Sequence, residues 1–327
     1  MIDLEGLLKS TGAFRTIKGD IRSNRLSHAY LIVTADGAML KEYLKIIAQL
    51  IACKEGEPCG VCRVCNLIEQ ESFADVFFYP KSDDAVKTED VASLIEESYV
   101  KPLESDKKLF IISHAETMNL SAQNKLLKTL EEPPKNVHII LGATSDFALL
   151  PTVKSRVKRL EIPPFNFEQL FNALKDDCVN ESRLKNALIC GDGTVGKALA
   201  LYDDENFKEL EDLAIDVLVN MKSSKDVAFF TARVSESKAD ISDFFSMLEL
   251  MLRDLLLFAI GQGELVSNKD ALERLKKAEN FSSASILNAL EKITEANKRK
   301  KFNANATMLI EWLLFQILEG KYKWQKL

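Results

Sequence analysis

The order of apolar runs constrains this 327-residue chain more than any other feature. Five short runs stand out, at His28–Thr34, Val76–Tyr79, Lys108–Ser113, Val137–Leu141 and Val157–Ile162. Stretches of helical period lie between them. Leu40–Ala52 puts Leu40, Leu44, Ile47 and Ile51 on one face, and Thr88–Tyr99 follows the second run. Ser121–Glu131 packs through Leu126, Leu127 and Leu130 before Pro133-Pro134 stops it. Strands joined by helical crossovers of this length predict a five-stranded parallel sheet with helices on its faces. Pro163-Pro164-Phe165 reads as a hinge, because paired prolines continue neither strand nor helix. Beyond it the period is helical throughout: a small unit over Asn166–Tyr202 with the turn Gly191-Asp192-Gly193-Thr194-Val195-Gly196, then about five helices from Asp204 onward and no strand. The expected fold class is α/β plus all-α, in three domains at 1–163, 164–205 and 206–327.

Charge narrows the function. The formal net charge is −6, whereas a protein that grips nucleic acid alone usually carries basic excess. Protein partners come first on that balance, with any DNA contact left to a local patch or a larger assembly. No apolar run reaches the roughly 18 residues of a membrane span. The N-terminal stretch lacks the basic start and apolar core of a signal peptide, so a cytoplasmic location is expected and no membrane partner.

Six cysteines in a cytosolic chain are not expected to form a disulfide framework. Cys178 and Cys190 stand alone in helical sequence and read as small buried hydrophobes. The other four, Cys53, Cys59, Cys62 and Cys65, fall within thirteen residues. The spacing Cys53-x5-Cys59-x2-Cys62-x2-Cys65, with Gly56, Pro58 and Gly60 in the spacers, lets a short segment wrap one tetrahedral ion. Zinc is the expected metal, and a site closed by four thiolates is structural rather than catalytic.

Longer motifs carry a resemblance. Leu126-Leu127-Lys128-Thr129-Leu130-Glu131-Glu132-Pro133-Pro134 is preceded by Ala122-Gln123-Asn124 and followed by a strand ending Ala143-Thr144-Ser145. Leu150-Pro151-Thr152-Val153-Lys154-Ser155-Arg156-Val157, Gly193–Ala200, Leu252-Arg253-Asp254-Leu255-Leu256 and Asn303-x-Asn305 with Leu309-Ile310-Glu311 complete the set. With the cysteines in their place, these stretches resemble the bacterial DNA polymerase III clamp-loader AAA+ family over nearly the whole chain. The resemblance implies an AAA+ domain with a small zinc module, a three-helix lid and a helical collar. The collar would join the motor (gamma/tau) subunits and the delta subunit, and the assembly would load the sliding clamp on primed DNA.

Against the family pattern two elements are damaged. Active relatives carry Gly-x-x-Gly-x-Gly-Lys-Thr after the first strand; here the loop reads Thr34-Ala35-Asp36-Gly37-Ala38-Met39-Leu40-Lys41. Only Gly37 survives. Leu40 replaces the phosphate-binding lysine, and Lys41 the hydroxyl that holds Mg²⁺. The acids expected after the third strand are replaced by Ser113 and His114. The chain is therefore expected to bind no ATP and to be no enzyme alone, serving as an accessory subunit of a DNA-directed DNA polymerase holoenzyme. The Ser155-Arg156 pair is intact, with Val157 where the family has cysteine. The resemblance implies that Arg156 acts in trans, with Ser155, as an arginine finger at a neighbour's ATP. Two alternatives stand beside this reading: a motor subunit with its own ATPase, and a zinc-containing nucleic-acid-binding module.

Overall fold

The computed structural model describes residues 2–82, 85–237, 240–278, 281–300, 302 and 304–323. The chain divides into two compact units, residues 1–177 with 193–196, and residues 178–192 with 197–327.

The first unit opens with α1 (Leu4–Lys9) and α2 (Gly12–Arg22), then runs β1 (Ala29–Thr34), α3 (Leu40–Ala52), α4 (Arg63–Glu69), β2 (Val76–Tyr79), α5 (Thr88–Ser98), β3 (Lys108–Ile112), α6 (Leu120–Glu131), β4 (Val137–Ala143), α7 (Pro151–Lys154), β5 (Lys158–Ile162) and α8 (Phe167–Leu174). The five strands form one sheet in the order β2-β3-β4-β1-β5, every neighbour parallel. All five strands fall on the apolar runs of the sequence. Interior strand β1 is buried along its whole length, with Leu31 paired to Leu141 on one side and Arg159 on the other. Edge strand β5 turns Arg159 and Glu161 to solvent, charges that discourage pairing with another sheet. Helix α3 lies close on the sheet because β4 has Gly142 beneath it: a Cβ there would stand 2.5 Å from Leu44 Cδ1.

Pro163–Asn166 joins β5 to α8. Phe165 is buried, its ring 6.4 Å from that of Tyr43, and its N–H donates to the Gly193 carbonyl at 2.8 Å. The N-terminal helices α1 and α2 and the short α4 and α7 were not read from the sequence.

The second unit is helical: α9 (Glu181–Cys190), α10 (Val195–Asp203, whose first two residues belong to the first unit), α11 (Asn206–Asn220), α12 (Ser224–Glu236), α13 (Ile241–Ala259), α14 (Lys269–Leu275), α15 (Ser283–Lys300) and α16 (Ala306–Lys323). Beyond Asp204 there are six α-helices among the described residues where about five were expected, seven-residue α14 being the addition. One core joins Phe244, Phe245, Leu248, Met251, Ile293, Leu313 and Leu314. Asp254 is fully buried in α13 and accepts the backbone N–H of Ser267 and Asn268, which fixes the loop before α14. Burial raises its carboxyl above the usual range. Cys178 and Cys190 are buried as expected, and Asn303 lies outside the described residues. Among the described residues no helix is long and apolar enough to cross a membrane.

Candidate functional site

In a parallel sheet the loops at the carboxyl ends of the strands form the ligand crevice. Thr34 closes β1, and its Oγ1 accepts the N–H of Asp36 at 3.2 Å. Asp36 is 4% exposed, and its carboxylate is fully occupied by the chain itself. It accepts from Met39 N at 3.3 Å, from the Tyr43 hydroxyl at 3.1 Å, from Val195 N at 2.8 Å and from Gly196 N at 3.1 Å. The last two donors are the first free N–H groups of α10, the end of a helix that attracts anions. Here an internal carboxylate takes the place that a bound phosphate takes at such termini. Gly196 must be glycine for this approach, since a Cβ would lie 2.6 Å from both Asp36 Oδ1 and Ala38 Cβ. Burial, with Asp36 beside it, pushes the Tyr43 phenol well above its ordinary value.

Leu40 is wholly buried as the first residue of α3. The next residue, Lys41, points away from the loop and pairs with Glu71 at 2.8 Å. N-cap Met39 offers no side-chain acceptor.

After β3, Ser113 is buried and donates through Oγ to the Tyr79 carbonyl at 3.1 Å. His114 adopts the left-handed conformation, φ 54°, and its Nδ1 lies 3.4 Å from Glu116 Oε1. That same oxygen accepts both the hydroxyl of Thr144, at 2.6 Å, and its N–H, at 3.1 Å. Thr144 in turn crowds Gly37, where an added Cβ would be 3.0 Å from Thr144 Cγ2. Gly37, His114, Glu116 and Thr144 thus meet at the strand ends, with Glu116 Oε1 shared by His114 and Thr144 and Glu116 Oε2 buried without a hydrogen-bond partner.

The four clustered cysteines converge. Their Sγ atoms all lie within 4.8 Å of one another, with Cys53–Cys59 at 3.7 Å, Cys53–Cys62 at 3.9 Å and Cys59–Cys65 at 3.8 Å. Four ligands at the usual Zn–S length stand about 3.8 Å apart on a tetrahedron. Cys62 is also the N-cap of α4, its Sγ accepting Cys65 N at 3.4 Å. The N–H groups of Val61 and Cys62 draw the Cys59 thiol down to about 6, while burial pushes Cys65 up to about 12. Gln49 of α3 anchors the module by donating to the Cys65 carbonyl at 3.2 Å.

Ser155 and Arg156 follow α7 and precede β5. The guanidinium does not extend freely into solvent. Its Nη1 donates to the Thr152 carbonyl at 2.9 Å and to Ser155 Oγ at 3.2 Å, and its Nη2 pairs with Glu131 at 2.6 Å.

The protein family described as "DNA polymerase III, delta subunit" matches residues 9–166. DNA polymerase III subunit delta' of Bacillus subtilis is 30% identical over 314 residues, 94% of this chain and 95% of its own length. The chain belongs to the delta-prime family of DNA polymerase III clamp-loader subunits. The tau subunit of Escherichia coli is also similar, 29% identical over 55% of this chain but only 29% of its own length. Among solved structures, a gamma-subunit-related protein of Thermotoga maritima aligns over 94% of this chain at 19% identity, with a TM-score of 0.43. The parallel sheet flanked by helices, followed by an all-helical part, agrees with the α/β plus all-α class read from the sequence.

Several residues of this chain matter more than their sequence context announced. Asp36 appeared only as a charge in a damaged loop, because its partners Val195 and Gly196 lie some 160 residues away. Glu131 stood inside a visible motif, yet nothing linked it to Arg156. Gln123, 1% exposed, accepts Leu150 N at 2.7 Å and donates to the Ala148 carbonyl at 3.1 Å. It thereby ties α6 to the segment that leads into Ser155-Arg156.

Proposed function

We propose that this chain is the delta-prime subunit of a clamp loader, with no ATP site of its own and with Arg156 lent to a neighbouring motor subunit. The observation that carries the first half is Asp36. Its carboxylate sits in the loop where phosphates would lie, takes the Met39 amide of that loop, and would set negative charge against negative charge. Leu40 in the core and Lys41 turned to Glu71 leave the loop without a cation for the phosphates. In this reading Ser113 and His114 hold no Mg²⁺, so the chain is no enzyme alone but an accessory subunit of the polymerase holoenzyme.

The second half rests on chemistry. Phosphoryl transfer spreads negative charge over the transferred oxygens, and a guanidinium supplied from a neighbour is worth about 10³–10⁵ in rate where it has been measured. Arg156, with Ser155, is the candidate, 33% exposed on the first unit. The reading includes a lid at 164–205 and a collar at 206–327 that joins the motor and delta subunits, with the sliding clamp and primed DNA met through the assembly in the cytoplasm. It also includes one structural zinc on Cys53, Cys59, Cys62 and Cys65, whose part is to hold the α3–α4 turn closed.

Reconstitution with the motor subunits tests the proposal. Clamp- and DNA-stimulated hydrolysis should require the chain, and clamp loading should fail without it. An assembly that loads clamps equally well without this chain overturns the function. One zinc per chain is the expected metal content, with Cys62→Ser lowering both content and local stability; a fully stable, metal-free wild type would remove the zinc site.

A further inference from the structure

The Glu131-Glu132-Pro133-Pro134 end of α6 is the part of the family stretch to which the proposed function gives no task. A helix C-terminus carries the negative end of the backbone dipole, so a carboxylate on its last residue sits in an unfavourable field unless a cation answers it. Glu131 is the last residue of α6, and the cation is Arg156. Both ends of this helix hold the same segment. Gln123 near its start grips Ala148 and Leu150, and Leu150 is the N-cap of α7. At its end, Glu131 grips Arg156, two residues past α7.

The Glu131 and Arg156 side chains are 48% and 33% exposed. An ion pair this open contributes little to folding. What it fixes is the position of the charge. A free surface arginine samples many rotamers, but here the guanidinium is directed by three contacts, to Thr152, Ser155 and Glu131.

We propose that Glu131 is the positioning residue of the arginine finger: it preorganises Arg156 for the γ-phosphoryl group of the neighbouring subunit's ATP. This inference rests on the trans reading of Arg156. Its physical basis is that an arginine already immobilised loses less conformational freedom when it meets the phosphate. Removing Glu131 leaves the Thr152 and Ser155 contacts, so the displacement is partial. The expected loss is roughly tenfold, below the hundredfold that a 1 Å misplacement can cost.

The test uses the full loader assembled with wild type, Glu131→Ala, Glu131→Gln, Arg156→Ala or the Glu131→Ala/Arg156→Ala double variant. Glu131→Ala should slow clamp loading about tenfold and lower kcat of the stimulated hydrolysis with KM for ATP unchanged. Glu131→Gln keeps the Oε1 acceptor and should recover much of that loss. The double variant should match Arg156→Ala alone. If Arg156→Ala is impaired while both Glu131 variants load normally, the positioning role fails and the finger stands. Faster loading by Glu131→Ala would make Glu131 a restraint, and further loss in the double variant would give it a separate task; either result overturns the inference. Normal loading by Arg156→Ala removes the finger itself. Thermal melting of each variant separates these outcomes from misfolding, and Glu131→Gln, which preserves shape, carries the test if the alanine variant folds poorly.

Discussion

The loop after β1 and the segment before β5 belong to neighbouring strands of one sheet, yet they treat charge in opposite ways. Asp36 in the first is 4% exposed, and its carboxylate is satisfied by Met39, Tyr43, Val195 and Gly196. Arg156 in the second keeps a third of its side chain in solvent and is held from outside by Glu131. A charge closed on itself is structural, because any ligand must first break its hydrogen bonds. A charge fixed in direction but left accessible can still meet a partner. On the proposed function, the difference separates a loop that takes no nucleotide from an arginine lent to a neighbour.

The largest effect should come from the outward-facing side. Arg156→Ala should leave assembly intact while clamp loading falls steeply, and hydrolysis should be lost at one site of the loader only. The loss at that site is expected to approach the roughly 10³ typical of arginine fingers. Arg156→Lys should not rescue it, because a point charge cannot reproduce a two-pronged contact. Single-turnover loading with a fluorescent clamp measures this, and equal rates for wild type and variant would erase the contrast between the two regions.

Breaking the inward-facing side should cost stability instead. Asp36→Ala strips a buried charged acceptor from the Val195 and Gly196 amides, with an expected loss of about 3 kcal/mol. Hydrogen exchange at those two amides should accelerate in step with the loss. Unchanged protection would mean that Asp36 is a bystander and that the loop is held by its apolar contacts alone.

The strands, α3, α5 and α6 were legible because their apolar periods match the faces they bury, as with Leu40, Leu44 and Ile47 against the sheet. The cysteines were legible because the metal site is local in sequence. Helix α4 was not, since its start depends on Cys62 serving as both candidate ligand and N-cap. The damage at Leu40 and Lys41 was visible as missing chemistry, but the occupied Asp36 site was not, because a long-range partner leaves no periodicity. Glu131 shows the same limit: the motif marked the residue, and only the fold brought Arg156 to it.

A smaller effect of the same kind belongs to the second unit. Lys321 is 4% exposed and donates to the Leu218 carbonyl at 2.7 Å and that of Met221 at 3.2 Å. Burial, reinforced by the charge of Lys222, brings its ammonium down to about 8 from 10.5. Between those values the unfolded chain holds more protons than the folded one, so this contribution grows as pH rises from 8 to 10.5 and is lost on return. Its full size is on the order of 3 kcal/mol at most. Urea titrations of wild type and Lys321→Met across that range should show the pH-dependent difference. Parallel curves would place the charge in water.

Whether the first unit has exchanged a nucleotide for its own carboxylate is decided by calorimetric titration of the isolated chain with Mg²⁺-ATP. The expected result is no saturable heat at millimolar nucleotide, for wild type and for Lys41→Ala alike. Saturable binding below millimolar, abolished by Lys41→Ala and accompanied by turnover, would instead make this chain a motor.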